Sequence, residues 1–141
     1  MTTELSRLSL NLYPWQQDQW QHVNHMMQQQ RLPHALIIGG VPGIGKLTFA
    51  KRLAAALLCQ KLINGNACNQ CKSCQLLAAN SHPDYKLMQP EEAGKAILVD
   101  QVRNIQHAMA TTAQQGGARV VIINGASDLN LNAANALLKQ L

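Results

Sequence analysis

Three short segments of the chain are mostly apolar and stand apart from longer stretches of mixed polarity. They lie at residues 35–38, Tyr85–Met88 and Val120–Ile123. Runs of about four residues without strict alternation of polar and apolar positions suit strands that are buried on both faces, as in parallel sheets. The pattern therefore predicts three short strands.

Between these segments, apolar residues recur every three or four positions, which is typical of amphipathic helices. In the first such stretch, residues 15–31, one face carries Trp20, Val23 and Met27, and Pro33 is expected to end the helix. The second stretch, residues 46–59, has the inward-facing residues Phe49, Leu53 and Leu57. A short helix is predicted around residues 74–79. Another is predicted to begin after Asp100 as its N-cap and to carry the apolar stripe Val102, Ile105, Met109 and Ala113. The last predicted helix, at the end of the chain, carries Leu131, Ala134, Leu138 and Leu141.

Strands that alternate with helices predict an α/β fold in which helices cover both faces of a parallel sheet. The 141 residues, of which 47% are hydrophobic, are enough for one domain with a real core. We therefore expect one domain over residues 1–141. The last predicted helix has no C-terminal glycine or cap, so the sequence is expected to be a fragment of a longer chain.

A glycine-rich segment follows the first predicted strand and opens the second predicted helix. Gly40, Gly43, Gly45 and Lys46 form the phosphate-loop pattern G-x4-G-K. In such loops the backbone N–H groups and the helix N-terminus surround phosphate oxygens, and the lysine reaches the β and γ phosphates. These residues, with Thr48 as a further phosphate contact, are the candidate site for ATP or ADP.

Two positions that ATP hydrolysis requires are changed. Leu47 stands where a Ser or Thr hydroxyl should bind magnesium, and Thr48 lies about 100° further round the helix. After the strand Val120–Ile123, Asn124 and Gly125 stand where an acidic pair should hold magnesium and polarise water. We expect no catalytic residue and no hydrolysis. Nucleotide binding without turnover and an empty loop kept for its shape both stay open.

Four cysteines follow the phosphate-loop helix with the spacing C-x8-C-x2-C-x2-C: Cys59, Cys68, Cys71 and Cys74. Four thiolates at this spacing favour a closed, structural Zn²⁺ site. The segment lacks apolar periodicity, so a metal would supply folding free energy to a zinc-binding module over residues 59–79. Two alternatives are disulfides, and a buried Cys59 beside three incidental cysteines.

Charge and hydropathy exclude few classes of protein: they argue against a membrane-spanning chain and neither establish nor exclude nucleic-acid binding. The net charge of +5, from 12 basic and 7 acidic residues, permits a nucleic-acid neighbour, but the basic residues are scattered. The longest apolar run has seven residues, at 53–59, which is too short to span a bilayer. Without a signal-peptide pattern, the chain is expected in the cytoplasm, where thiols stay reduced.

Several of these motifs together resemble one family. The chain is similar to the clamp-loader branch of the AAA+ ATPases in bacterial DNA polymerase III, and the resemblance covers residues 13–141. The motifs that carry it are Tyr13-Pro14-Trp15, Leu32-Pro33-His34-Ala35, the loop of residues 40–46, the four cysteines, His82-Pro83-Asp84, Val99-Asp100-Gln101-Val102-Arg103 and Asn135-Ala136-Leu137-Leu138-Lys139. Leu47 and the Asn124-Gly125 pair depart from the ATP-hydrolysing motor subunits, gamma/tau, and favour a non-motor subunit.

The resemblance implies a P-loop NTPase-like AAA+ domain with a zinc module inserted after the phosphate-loop helix. It implies a hetero-pentamer with delta and gamma/tau subunits, which loads the sliding clamp onto primer-template DNA for the DNA-directed DNA polymerase. It places a Ser-Arg-Cys motif, a helical lid and a collar domain beyond residue 141. Two alternatives stay open: a motor subunit with an unusual phosphate loop, and a zinc-ribbon nucleic-acid-binding protein.

Overall fold

The computed structural model describes residues 13–33, 36, 38–39, 43–90, 97–108 and 118–125. The chain divides into two compact units, Met1–His82 and Pro83–Leu141. The first unit contains a 3₁₀ turn Pro14–Gln16 and the helices α1 Gln17–Gln28, α2 Lys46–Leu58 and α3 Lys72–Ala78. The second contains the strand β1 Tyr85–Met88, the helix α4 Val99–Ala108 and the strand β2 Val120–Ile123.

The core of the first unit joins α1 to α2. The ring of Trp20 meets that of Phe49 edge to face, with 5.8 Å between the centroids and 86° between the planes. Leu53 and Ala56 complete the buried centre. Partly buried side chains from both predicted stripes pack around it: Val23, Met27 and Leu57. The predicted inward faces of these two helices are therefore confirmed.

Helix α1 ends three residues before the position predicted for it. Gln30 adopts a left-handed conformation with φ 57°. The N–H of Arg31 donates to the carbonyl of Met26 at 2.8 Å and that of Gln30 to Met27 at 3.1 Å. This pair of hydrogen bonds is the Schellman motif, in which backbone N–H groups just beyond the helix satisfy carbonyls of its last turn. The backbone cap, rather than Pro33, therefore sets the end of α1.

The second unit is a β-α-β arrangement. Strands β1 and β2 pair in parallel, with Tyr85 opposite Val120 and Met88 opposite Ile123. Helix α4 packs against β1. The core consists of Met88, Ile97 and Val102, with Val99, Ile105 and Ile123 packed around it. The described part of the chain thus confirms an α/β architecture with parallel strands, both at the predicted positions.

The predicted N-cap of α4 is wrong. The helix begins at Val99, so Asp100 lies inside its first turn. The side chain of Gln101 reaches back instead, and its Oε1 accepts the N–H of Leu98 at 2.9 Å. That contact is half of a capping box, in which the third helical residue satisfies the N–H of the cap residue. Asp100 contributes through its charge near the positive helix end.

Other predicted elements fall partly or wholly outside the described residues. Of the first predicted strand, Leu36 and Ile38 are described and neither belongs to a strand, whereas Ala35 and Ile37 lie outside. Met109 and Ala113 of the α4 stripe and the whole C-terminal helix also lie outside. Among the helices that the structure does describe, none combines the length and the apolar character needed to cross a membrane.

Leu53 provides a test of the core in the first unit. Leu53→Ala should lower the free energy of unfolding by about 2–5 kcal/mol, because it leaves a cavity in the buried cluster that contains Trp20 and Phe49. The control is Leu62→Ala, which alters a side chain that is 40% exposed and should change stability by about 0.5 kcal/mol or less. Chemical denaturation measures both variants. Equal losses would show that α1 and α2 do not share this core.

Candidate metal centre and phosphate loop

The ends of two helices and a tight knuckle bring the four cysteines together. Cys59 is the C-cap residue that directly follows α2. Cys71 is the N-cap of α3, and the buried Cys74 lies in the first turn of that helix. Cys68 lies in the intervening segment, where Asn69 has φ 62°. This left-handed residue reverses the chain, so the N–H groups of the next two residues point back at the sulfur of Cys68.

The sulfur atoms form one compact cluster. All four Sγ atoms lie within 4.8 Å of one another. The distance is 3.9 Å between the sulfurs of Cys59 and Cys71, and 3.9 Å between those of Cys68 and Cys74. Four sulfurs at 2.3 Å from a tetrahedral metal ion would stand about 3.8 Å apart. The donor set and its spacing therefore fit one metal ion, and the cysteines are free rather than joined as disulfides.

Backbone N–H groups surround the sulfurs on the protein side. Six of them donate to sulfur at 3.2–3.5 Å: those of Gln60, Lys61, Cys68, Gln70, Cys71 and Cys74. Such donors stabilise a thiolate, because each one places a partial positive charge against the sulfur. These hydrogen bonds thus favour the thiolate form of the sulfurs that accept them, independently of any cation.

The four thiols differ in how readily they lose a proton. The N–H groups of Gln70 and Cys71 lower the pKa of Cys68 to about 6. Burial raises the pKa of Cys71, but the N–H groups of Gln60 and Cys74 outweigh it and leave that pKa below its ordinary value. Burial raises the pKa of both Cys59 and Cys74. A cation among the sulfurs would remove this penalty, because it favours the charged form of every ligand.

A two-residue turn projects from the cysteine segment. Ile63 and Asn66 exchange backbone hydrogen bonds of 2.9 and 3.0 Å, and Asn64 and Gly65 between them have φ 52° and 79°. Two successive left-handed residues define a type I′ turn, for which Asn-Gly is the preferred pair. We did not predict this turn, although the dipeptide Asn64-Gly65 was the signal for it.

The structure describes the second half of the candidate phosphate loop, from Gly43 onward. Gly43 and Gly45 have φ 87° and 85°, values that suit glycine, and Lys46 is the first residue of α2. Leu47 and Thr48 follow in the first helical turn and are half-buried. Gly40 lies outside the described residues. Phosphate binding by this loop stays a prediction.

Side chains from the 3₁₀ turn hold the loop from its carbonyl side. The indole Nε1 of Trp15 donates to the carbonyl of Ile44 at 2.9 Å. The amide of the buried Gln16 donates to the carbonyls of Ile44 and Gly45, both at 3.0 Å. The ring of Tyr13, stacked on that of Trp15 at 4.8 Å, lies where a side chain at Gly45 would be. We did not predict these contacts, and no pattern in the sequence indicates them.

The edge where β1 and β2 end carries amides. The side chain of Asn124 donates to Oε1 of Gln89 at 3.3 Å, and its backbone N–H donates to the carbonyl of Met88 at 2.8 Å. Gly125 follows with φ 87°. An amide can neither take a proton from water nor bind magnesium as a carboxylate does. Asp128 lies outside the described residues.

The described residues combine a glycine turn that opens a helix, a four-cysteine cluster that follows that helix and a parallel β-α-β unit, which together define an α/β protein with a four-cysteine insertion. The family model described as DNA polymerase III, delta subunit, matches residues 15–141. The chain therefore belongs to the DNA polymerase III delta-subunit family, whose fold is the clamp-loader AAA+ domain. The resemblance found in the sequence is confirmed.

Relatives from three bacteria carry the name DNA polymerase III subunit delta′. That of Pseudomonas aeruginosa is 49% identical over 131 residues, which are 93% of this chain and 39% of the relative. That of Escherichia coli is 38% identical over 92% of this chain and 39% of its own length. That of Bacillus subtilis is 34% identical over 80% of this chain and 33% of its own length. The chain thus spans between a third and two fifths of the length of these relatives.

Gly45 and Gly43 provide a matched pair for testing the contact with Tyr13. Gly45→Ala places a Cβ 2.7 Å from the Tyr13 ring, whereas the Cβ of Gly43→Ala meets nothing within 4 Å. Both variants should lose about 1–2 kcal/mol of folding free energy from the left-handed backbone. Gly45→Ala should lose about 1 kcal/mol or more in addition from the overlap.

Urea denaturation of the two variants measures this difference. Each variant is also made with Tyr13→Ala. The double variants Tyr13→Ala/Gly45→Ala and Tyr13→Ala/Gly43→Ala should then have similar urea midpoints. A midpoint for Gly45→Ala equal to that of Gly43→Ala, with Tyr13 intact, would mean that the ring does not lie against the loop.

Proposed function

We propose that this chain is the AAA+ domain of a non-hydrolysing clamp-loader subunit, of the delta-prime type. The observation that carries the proposal is the loss of a hydroxyl at one magnesium-binding position and of the carboxylates at the other, in a chain whose family is known. Leu47 has no hydroxyl for magnesium, and Asn124 offers an amide where a carboxylate is needed. Relatives named subunit delta′ support the same conclusion.

In this role the subunit works in the cytoplasm with delta and gamma/tau subunits in a hetero-pentamer that places the sliding clamp on primed DNA. The whole domain, residues 1–141, provides a fixed surface beside an ATP-hydrolysing neighbour. The contacts of Trp15 and Gln16 with the loop carbonyls support rigidity, since they tie the loop to another part of the same chain. The chain itself would have neither polymerase nor ATPase activity.

Lys46 tests this role. Lys46→Ala in the reconstituted clamp loader should leave the rate of clamp loading within about twofold of the parent, because this loop does not complete a magnesium site. The matched control is the phosphate-loop lysine of a motor subunit, whose change to alanine should abolish loading. The intact parent protein alone should not hydrolyse ATP. Turnover by it, or an equal loss of loading in both variants, would contradict the proposal.

We further propose that Cys59, Cys68, Cys71 and Cys74 bind one structural Zn²⁺. Four sulfur donors within 4.8 Å and the absence of a non-sulfur ligand in the set support zinc, which favours four thiolates in closed sites. The ion would hold the module of residues 59–79 together. It would bind no substrate, since none of the four positions is left for water.

Cys71 tests the zinc site. Cys71→Ser should reduce the zinc content from about one per chain and lower the melting temperature, because the module loses folding free energy supplied by the metal. A chelator should lower the melting temperature of the parent but have little further effect on Cys71→Ser. Gln70→Ala, which changes an exposed side chain in the same knuckle, is the control. Unchanged zinc in Cys71→Ser would refute the site.

A further inference from the structure

The turn Ile63–Asn66 contacts both helices of the first unit. The amide Nδ2 of Asn24, on α1, donates to the carbonyl of Gly65 at 2.8 Å. The guanidinium of Arg52, on α2, donates from Nη2 to Oδ1 of Asn66 at 2.6 Å. The cysteine module is therefore attached to α1 and to α2 at the same turn.

The contact on the α1 side is fixed in orientation. Oδ1 of Asn24 accepts from Nε2 of Gln28 at 3.0 Å, which leaves its Nδ2 directed at the turn. Gly65 is buried with φ 79°, and a Cβ there would collide with the Asn24 side chain. The backbone of the turn therefore approaches α1 as closely as glycine allows.

The contact on the α2 side depends on few partners. The guanidinium of Arg52 lies over the ring of Trp20, 4.8 Å from its centroid. Its Nε and Nη1 are buried and have no hydrogen-bond partner in the described part of the chain. Burial also lowers the pKa of Arg52. The cation–π contact with Trp20 and the hydrogen bond to Asn66 are therefore what offset the cost of removing this guanidinium from water, and loss of Asn66 would leave only the ring contact.

The two ends of the segment that carries this turn, residues 61–68, both donate hydrogen bonds to the sulfur of Cys59. The N–H of Lys61 donates to Sγ of Cys59 at 3.4 Å, and the N–H of Cys68 donates to that sulfur at 3.3 Å. Residues 61–68 thus form a loop that is closed on a ligand of the proposed metal and that touches α1 and α2 at its tip. A metal that immobilises Cys59 and Cys68 would also immobilise this loop.

We propose that a metal ion in the cysteine cluster tightens the packing of α1 on α2 through the loop of residues 61–68. Asn66 and Arg52 are the positioning pair that carries this coupling, and Asn24 is a second contact. The inference rests on metal binding by the four cysteines, as proposed above. Because coupling between two events is reciprocal, breaking the pair should also weaken the binding of metal, by about fivefold or more.

The test uses the intact protein loaded with Co²⁺, whose visible absorption reports a tetrahedral thiolate site. Hydrogen exchange followed by mass spectrometry then reads peptides that cover α1 and, as a reference in the other unit, β1. In metal-loaded Asn66→Ala, exchange in the α1 peptide should be several-fold faster than in the parent, while the β1 peptide is unchanged. Gln60→Ala is the control, since Gln60 touches the cluster only through its backbone N–H.

Removing the metal from the parent should speed exchange in α1 in the same way, and Asn66→Ala should bind Co²⁺ more weakly than Gln60→Ala. If the metal-free protein loses protection from hydrogen exchange everywhere, including β1, the inference is judged from the comparison of metal-loaded Asn66→Ala with the metal-loaded parent. An α1 peptide that exchanges alike in metal-loaded Asn66→Ala and in the parent would overturn the inference. Failure of the parent to bind Co²⁺ would instead remove the zinc proposal on which it rests.

Discussion

Four thiols packed within 4.8 Å of one another impose an electrostatic constraint on the first unit. Thiolates at this spacing repel, and burial further opposes charge on Cys59 and Cys74. Backbone N–H groups relieve part of this cost, most of all at Cys68. One divalent cation would relieve the rest, because it attracts all four charges at once. Cys59, which caps the end of α2, and Cys71, which caps the start of α3, both take part in this balance.

The phosphate loop is organised on a different principle. In its described part, residues 43–46, two glycines are left-handed and side-chain donors from elsewhere in the chain bind its carbonyls. An ATPase needs more than this shape, because turnover requires oxygen ligands for magnesium and a group that polarises water. Leu47 supplies no oxygen ligand, and Asn124 supplies an uncharged amide where an acidic pair is expected. These two changes are the basis of the proposal that the domain does not hydrolyse ATP.

Patterns with strong local causes could be predicted from the sequence. Strands β1 and β2 and the start of α2 were placed correctly, because apolar runs and a glycine loop have few alternative structures. The cysteine cluster followed from spacing alone. The predicted end of α1 is wrong, because glutamine is not a residue type that indicates the left-handed cap conformation that Gln30 adopts. The contacts of Gln16 and Arg52 join residues far apart in sequence, so local pattern could not reveal them.

The donors on the loop carbonyls have a consequence for how the chain tolerates shortening. Ile44 and Gly45 depend on side chains that precede α1, almost thirty positions earlier. A protease that cleaved before Trp15 could therefore leave every glycine of the loop intact and yet free the segment that carries both side-chain donors of the Ile44 carbonyl and one of the two donors of the Gly45 carbonyl. Part of the hydrogen bonding of this loop thus comes from residues before α1, which sequence motifs for such loops do not include.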